Sequence, residues 1–402
     1  MLSIVVAGTL LSGCATSFVR QPFTEVEQSN AIIEWAPSAR IWADAPSDAI
    51  LDWANSGLSE EAVADNGSIS VLALSGGGDK GAFGAGLLEG WSQSGSRPQF
   101  DVVTGVSTGA LIAPFAFLGP AYDEELRRSY TEVEASDIYR PRDVLSGLFG
   151  ISLADTEPLR ERIGDIVDRD FLAEIAREWR SGRGLFVLTT NLDAQRPVLW
   201  NMGLLAASDD ERAPQLFRDI LIASASIPGA FPPVLIEAQA GERDIVEMHV
   251  DGGLSSQILL VPEPFLIDAA PIGGDAQIFA LVNNTLAAEF EQVKPTTLPI
   301  ARRGFSTLIK SHSRASVSAS ALLAKRGEID LRVAAIGTDF PLRQDRLFDP
   351  TYMNTLWLYG FELGRSGAFQ TYEELTNGQT RPAVSAATGR PSEARNLAGV
   401  PR

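Results

Sequence analysis

The sequence predicts an α/β fold built on a mostly parallel sheet, and three features carry that expectation. Residues 69–74 (ISVLAL) are an almost unbroken apolar run, as a strand buried on both faces requires. The cluster Gly76-Gly77-Gly78 ends it, and a helical stretch follows in which Phe83, Leu87 and Trp91 recur at i, i+4, i+8. A second short strand, residues 100–104, then enters another glycine turn and another apolar helical segment, completing a βαβα start.

In the first helical stretch Gly81, Gly84 and Gly86 lower helix propensity but permit close backbone approach, which predicts tight packing on the sheet. Residues 110–118 read as a buried helix shortened or bent at Pro114. Further strands are expected at 185–190, 197–201, 245–250, 278–282 and 329–335, and helices at 215–226, about 305–325 and 352–364. Before the βαβα start, residues 18–66 carry Trp35, Trp42, Trp53 and several prolines, and read as an extension wrapped on the main domain with its tryptophans buried against it. Residues 377–402, rich in Ala, Gly, Pro, Ser and Arg, read as a disordered tail.

Composition narrows the chemistry. A chain of 402 residues at 45% hydrophobic has ample material for a core. Its 33 Lys plus Arg against 51 Asp plus Glu, a net charge of −18, repel phosphate backbones and argue against a nucleic-acid partner. One cysteine, Cys14, and two histidines, His249 and His312, exclude an intrachain disulfide, a Cys-rich zinc site and an H-E-x-x-H protease. Hydrolytic chemistry must therefore run on Ser, Asp, Glu, Lys and backbone groups, with at most those two imidazoles.

Residues 1–11 form an apolar run too short to span a bilayer, which reads as a secretory signal. Leu11-Ser12-Gly13-Cys14 resembles a bacterial lipobox, which implies cleavage after residue 13 and lipidation of Cys14. No Lys or Arg precedes the run, so the true start is open to lying upstream. Ala15 gives no inner-membrane retention signal, so the resemblance implies the periplasmic face of an outer membrane. The expected organisation is a signal over 1–13, an extension over 14–66, the main domain over 67–376 and the tail.

Gly105-Val106-Ser107-Thr108-Gly109 matches G-x-S-x-G, the elbow in which small flanking residues let a serine sit on a strained strand-to-helix turn. The helix N-terminus that follows adds amide donors and a positive dipole end. A tight turn whose serine merely caps the helix is the plainer alternative. Gly76-Gly77-Gly78-Asp79-Lys80-Gly81 admits two readings. One is the dinucleotide fingerprint G-x-G-x-x-G, which needs an acid at the far end of the next strand; here Asp101 stands at its start. The other is an oxyanion hole of glycine amides at the sheet edge from which Ser107 also emerges.

A serine nucleophile needs a base. His312 lies in a polar stretch that reads as a solvated helix face. His249 and Asp251 are two apart on one strand face, so a Ser-His-Asp triad stays open, beside a Ser107–Asp251 dyad in which Gly252-Gly253 let the chain turn sharply. An Asp before two glycines is also an ordinary turn former.

Taken together, the blocks resemble the patatin-like phospholipases. Gly76 to Gly81 is similar to their G-G-G-x-[RK]-G block, Gly105 to Gly109 to their nucleophile motif and Asp251-Gly252 to their D-G-[GA] motif. Residues 223–233 (ASASIPGAFPP) resemble the block between the last two, and the whole covers roughly residues 68–368 in the family's order. The resemblance implies a three-layer fold with a central, mostly parallel sheet flanked by helices. It implies Ser107 as nucleophile, Asp251 as base, and an oxyanion hole of Gly76, Gly77 and Gly78 with Lys80 at the basic position. Gly105, Gly109 and Gly252 would support the turns, no metal or cofactor is required, and fatty-acyl esters of phospholipids are the first expected substrates. The Ser-Asp dyad demotes His249 to a neighbour. The alternatives are a catalytically silent lipid-binding or scaffold member of the fold and a dinucleotide-binding enzyme built on Gly76 to Gly81.

One feature falls outside these motifs. Residues 292–327 contain no Asp or Glu, yet carry Lys294, Arg302, Arg303, Lys310, Arg314, Lys325 and Arg326. On a helix, Arg303, Lys310 and Arg314 fall near one face, which is expected either to meet anionic lipid head groups or to pair with acids elsewhere in the chain.

Overall fold

The computed structural model describes residues 20–58, 69–143, 150–268, 276–327, 329–344, 346–367 and 369–376. Cys14, the lipobox and the expected tail lie outside the described residues. The strands are β1 (Arg40–Trp42), β2 (Ser70–Leu74), β3 (Val102–Val106), β4 (Arg140–Pro141), β5 (Ala154–Asp155), β6 (Gly184–Asn191), β7 (Arg196–Asn201), β8 (Val234–Ala240), β9 (Arg243–Asp251), β10 (Gln277–Val282), β11 (Asp330–Ala335) and β12 (Gln370–Thr371).

Five strands, in the order β6-β3-β2-β10-β11, run parallel through the centre of the sheet. Helices cover both of its faces because successive side chains point to opposite sides. Leu72 and Leu74 enter the core shared with helices Gly81–Gln93, Thr108–Leu118 and Pro350–Arg365. Val71 and Ala73 enter the other, which Val317 and Ala324 of the long helix Thr297–Gly327 close. This is the three-layer α/β arrangement the sequence predicts.

Three expectations change. Gly86 and Gly90 serve a helix–helix contact rather than the sheet: a Cβ at either would lie 2.0 Å from the carbonyl oxygen of Trp357 or Phe361. Only Gly84 meets the sheet, at Leu281 and Asn283, while Gly81 packs on Thr108 and Tyr130. The helix Thr108–Leu118 is not shortened at Pro114; it runs through it and ends at Gly119, whose φ of 93° supplies the left-handed stop. Of the three tryptophans in the extension, only Trp53 is buried, 5.6 Å from the ring of Phe186. Trp42 and Trp35 are half-buried beneath the guanidinium groups of Arg196 and Arg212. The extension is also part of the sheet, since β1 pairs antiparallel with β7.

One detail of topology assembles the site. On one edge of β6 the first five residues pair parallel with β3, and the last three pair antiparallel with the end of β9. Val106 lies opposite Leu188 and Asp251 opposite Thr189, so the C-terminal ends of β3 and β9 point at each other across adjacent positions of one strand.

Candidate active site

Ser107 follows β3 directly and has φ 56° and ψ −125°, a conformation that non-glycine residues rarely adopt and that lifts the side chain out of the turn. The sharpness of this turn requires glycine on both sides. A Cβ at Gly105 would come within 2.6 Å of Ala110 Cα, and one at Gly109 within 2.3 Å of the Leu74 carbonyl oxygen.

Ser107 Oγ donates to Asp251 Oδ2 at 2.7 Å, and the Gly253 amide donates to Asp251 Oδ1 at 2.7 Å. Both side chains are buried. Burial pushes the Asp251 carboxyl up to about 7, against the Ser107 and Gly253 hydrogen bonds that pull it down. The 223–233 block supplies the frame. The Ser107 amide donates to Ser224 Oγ at 3.0 Å, and the Ser224 hydroxyl donates to the Leu188 carbonyl at 2.7 Å. The Asp251 amide donates to the Ser226 carbonyl at 2.9 Å. Gly252 passes so close to Leu188 that a Cβ would lie 2.3 Å from its carbonyl oxygen.

The glycine loop after β2 lies alongside. A Cβ on Gly76 would sit 3.1 Å from Ser107 Cβ. The Gly76 amide is engaged by the Gln257 carbonyl at 3.0 Å, whereas the amides of Gly77 and Gly78 have no protein acceptor among the described residues. Asn283, fully buried at the end of β10, fixes this loop: its amide donates to Ser75 Oγ and its side chain to the Ser75 carbonyl. Lys80 Nζ donates to Asn284 Oδ1 at 3.2 Å, and burial lowers its pKa while nearby Glu289 raises it. Ser224 is marked from the sequence only as a member of the 223–233 block, without a role of its own; Asn283 and Asn284 carry no local mark, because their partners lie far away along the chain.

The triad alternative does not form. His249 is fully buried with Nδ1 on Thr189 Oγ1 and Nε2 on Glu247, both at 3.0 Å, and neither nitrogen meets Ser107 or Asp251. Trp200 Nε1 donates to Thr189 Oγ1, and Glu247 also takes the guanidinium of Arg40 from the extension. Every partner is satisfied when a neutral His249 carries its proton on Nε2, and burial lowers its pKa accordingly. Asp101, the acid nearest the dinucleotide reading, accepts from the Ser70 amide and hydroxyl at the opposite end of the strands. On the long helix, Arg303 pairs with Glu291, Lys310 with Glu289 and Lys325 with Glu373, so much of the basic island is neutralised by acids of this chain. Arg314 is exposed.

A cavity of about 110 Å³ opens beside Ser107 and is walled almost wholly by apolar side chains. It follows helix Thr108–Leu118 past Leu111 and Pro114 to Phe115. A serine hydrogen-bonded to a carboxylate, two amides without a protein acceptor in the neighbouring loop and an apolar recess form a constellation suited to acyl transfer. Comparison with known families agrees: residues 72–262 match the model of patatin-like phospholipases. These residues are a patatin-like phospholipase domain. No curated protein matches the chain. Among solved structures, VipD from Legionella pneumophila is similar at 10% identity, covering 76% of this chain and 68% of that one, with a TM-score of 0.36. The patatin-like domain thus holds β2, β3, β6 and β9, the strands whose ends carry Gly76–Gly78, Ser107 and Asp251.

Proposed function

We propose that this protein hydrolyses fatty-acyl esters of lipids, phospholipids first, through Ser107 and Asp251. The single observation that carries the reading is the 2.7 Å hydrogen bond from Ser107 Oγ to a buried carboxylate, beside unengaged amides and an apolar cavity. Family membership supplies the substrate class: lipid acyl esters.

In the proposed sequence the Asp251 carboxylate takes the Ser107 proton as Oγ bonds to the acyl carbonyl carbon. The carbonyl electron pair moves onto oxygen, where the amides of Gly77 and Gly78 receive the charge. The pair returns, the ester C–O bond breaks, and the leaving alkoxide takes the proton from Asp251. Water then gives a proton to Asp251 and attacks the acyl-enzyme. Collapse of this second intermediate releases the fatty acid and returns the proton to Ser107. Gly76, whose amide is already engaged, is assigned to shaping the loop, and Lys80 to setting the potential around it.

The lipid anchor at Cys14 and an outer-membrane location facing the periplasm belong to the same proposal. They rest on the lipobox resemblance, and no helix among the described residues is long and apolar enough to cross a membrane. Mass-spectrometric analysis of a mixed lipid extract incubated with the protein tests the activity. Release of free fatty acid by wild type but not by Ser107→Ala supports it; equal release by both contradicts it.

A further inference from the structure

The cavity beside Ser107 is walled along stretches of two helices. Along Thr108–Leu118 its wall runs from Thr108 to Phe115, and along Glu157–Ile166 and the residue beyond it runs from Leu159 to Val167. The paths span seven and eight helical steps, which at 1.5 Å per step is about 10–12 Å. The near end is marked by Ser107 and by Ala225, Ile227 and Phe231 of the block that frames the elbow. The far end carries two aromatic rings. Phe115 and Phe171 are both buried with ring centroids 5.7 Å apart, and Tyr122 backs them at 6.4 and 5.4 Å. Phe171 is carried by a separate helix, Arg169–Arg180, which Asp168 caps through the Phe171 amide, so the plug is fixed from two sides.

We propose that this aromatic pair is an acyl-length ruler: a linear saturated chain esterified at Ser107 lies along the cavity and is stopped by Phe115 and Phe171. The inference rests on the hydrolase reading and specifies its substrate. With C–C bonds of about 1.5 Å at tetrahedral angles, a wall of about 10–12 Å admits at most on the order of eight to ten carbons. The ruler therefore favours medium-chain acyl groups over longer ones. Leu111 lies midway along the wall and is only half-buried, so a larger side chain there grows into the cavity rather than into packed core.

The test compares kcat/KM on p-nitrophenyl butyrate, decanoate and hexadecanoate for wild type, Leu111→Phe, Phe171→Ala and the milder Phe171→Leu. Wild type is expected to prefer decanoate. Leu111→Phe should lose about tenfold or more on decanoate while butyrate stays within about twofold, the scale at which apolar pockets discriminate chain size. Either Phe171 variant should raise hexadecanoate relative to decanoate. Chain-length profiles identical to wild type in Leu111→Phe and in whichever Phe171 variant folds overturn the ruler. Titration of the same proteins with butyrate, decanoate and hexadecanoate in a calorimeter reads the cavity without chemistry. If no ester is cleaved, the hydrolase reading fails. A decanoate optimum that moves with Leu111 and Phe171 still sustains the ruler, and its absence overturns it.

Discussion

Ser107 and Asp251 stand 144 positions apart in the chain, yet their side chains meet at 2.7 Å because β3 and β9 abut on adjacent positions of a single edge of β6. Two ladders of opposite direction on one strand thus set the separation of hydroxyl and carboxylate. The backbone on either side is then locked by Ser224 and Ser226. Such a site is formed by sheet register rather than by mobile loops, which favours preorganised chemistry.

Ester hydrolysis should rise with pH through about 7. Asp251 accepts a proton only as carboxylate, and burial raises its pKa from 3.8 to about 7. A pH–kcat profile on a short-chain ester checks this, with an ascending limb near neutrality that is absent from the residual rate of Asp251→Asn.

The same shift runs the other way for stability. A carboxyl with its pKa raised by folding contributes most below its unfolded value, and that contribution is lost as pH rises through about 7. Asp251→Asn keeps an acceptor for Gly253 and removes the buried charge. At pH 8 it should stabilise the fold by roughly 1–4 kcal/mol, while kcat falls by about a hundred- to ten-thousand-fold. Urea denaturation at pH 5 and pH 8 reads the stability effect, which should shrink at the lower pH.

Ser224→Ala should reduce both stability and turnover without touching substrate. It leaves the Ser107 amide and the Leu188 carbonyl without a buried partner, costing about 1–3 kcal/mol. Turnover on a short-chain ester should fall with little change in KM, because the strained elbow loses its tether.

Arg40→Ala should destabilise by about 3–5 kcal/mol by leaving buried Glu247 without its counter-cation, held only by the neutral donors of Gln28 and His249, whereas Arg40→Met combined with Glu247→Met should cost less. Denaturant midpoints of the three proteins check this. His249→Ala should retain far more activity than Asp251→Asn, because the imidazole is bonded to Thr189 and Glu247.

The central sheet was legible because its strands are buried on both faces and read as continuous apolar runs. β2, β3, β6, β10 and β11 fall within two residues of the expected ranges, and so do the antiparallel β7 and β9 beside them. β8 alternates buried positions with half-buried ones and an exposed Glu237 in a short run of mixed residues, and β1 is three residues held by pairing with β7; neither leaves a strong local mark. The helix Arg169–Arg180 does leave one, with Asp168 as cap and Phe171, Leu172, Ile175 and Trp179 on one buried side, and it is a finding of the structure beyond the helices expected from sequence. Its Phe171 lines the cavity beside Ser107. At the site, the glycine turns and Ser107 announce themselves because unusual backbone demands unusual residues. Ser224 is announced only as part of the 223–233 block and Asn283 not at all, since their partners lie 117 and 208 positions away and only the folded sheet brings them together.

Labelling with a fluorophosphonate probe, followed by peptide mapping, tests the central claim most directly. The account predicts one adduct, on Ser107, forming faster as pH rises through about 7 and absent from Ser107→Ala. Adduct formation at another serine, with Ser107→Ala still hydrolysing lipid esters at the wild-type rate, would contradict it.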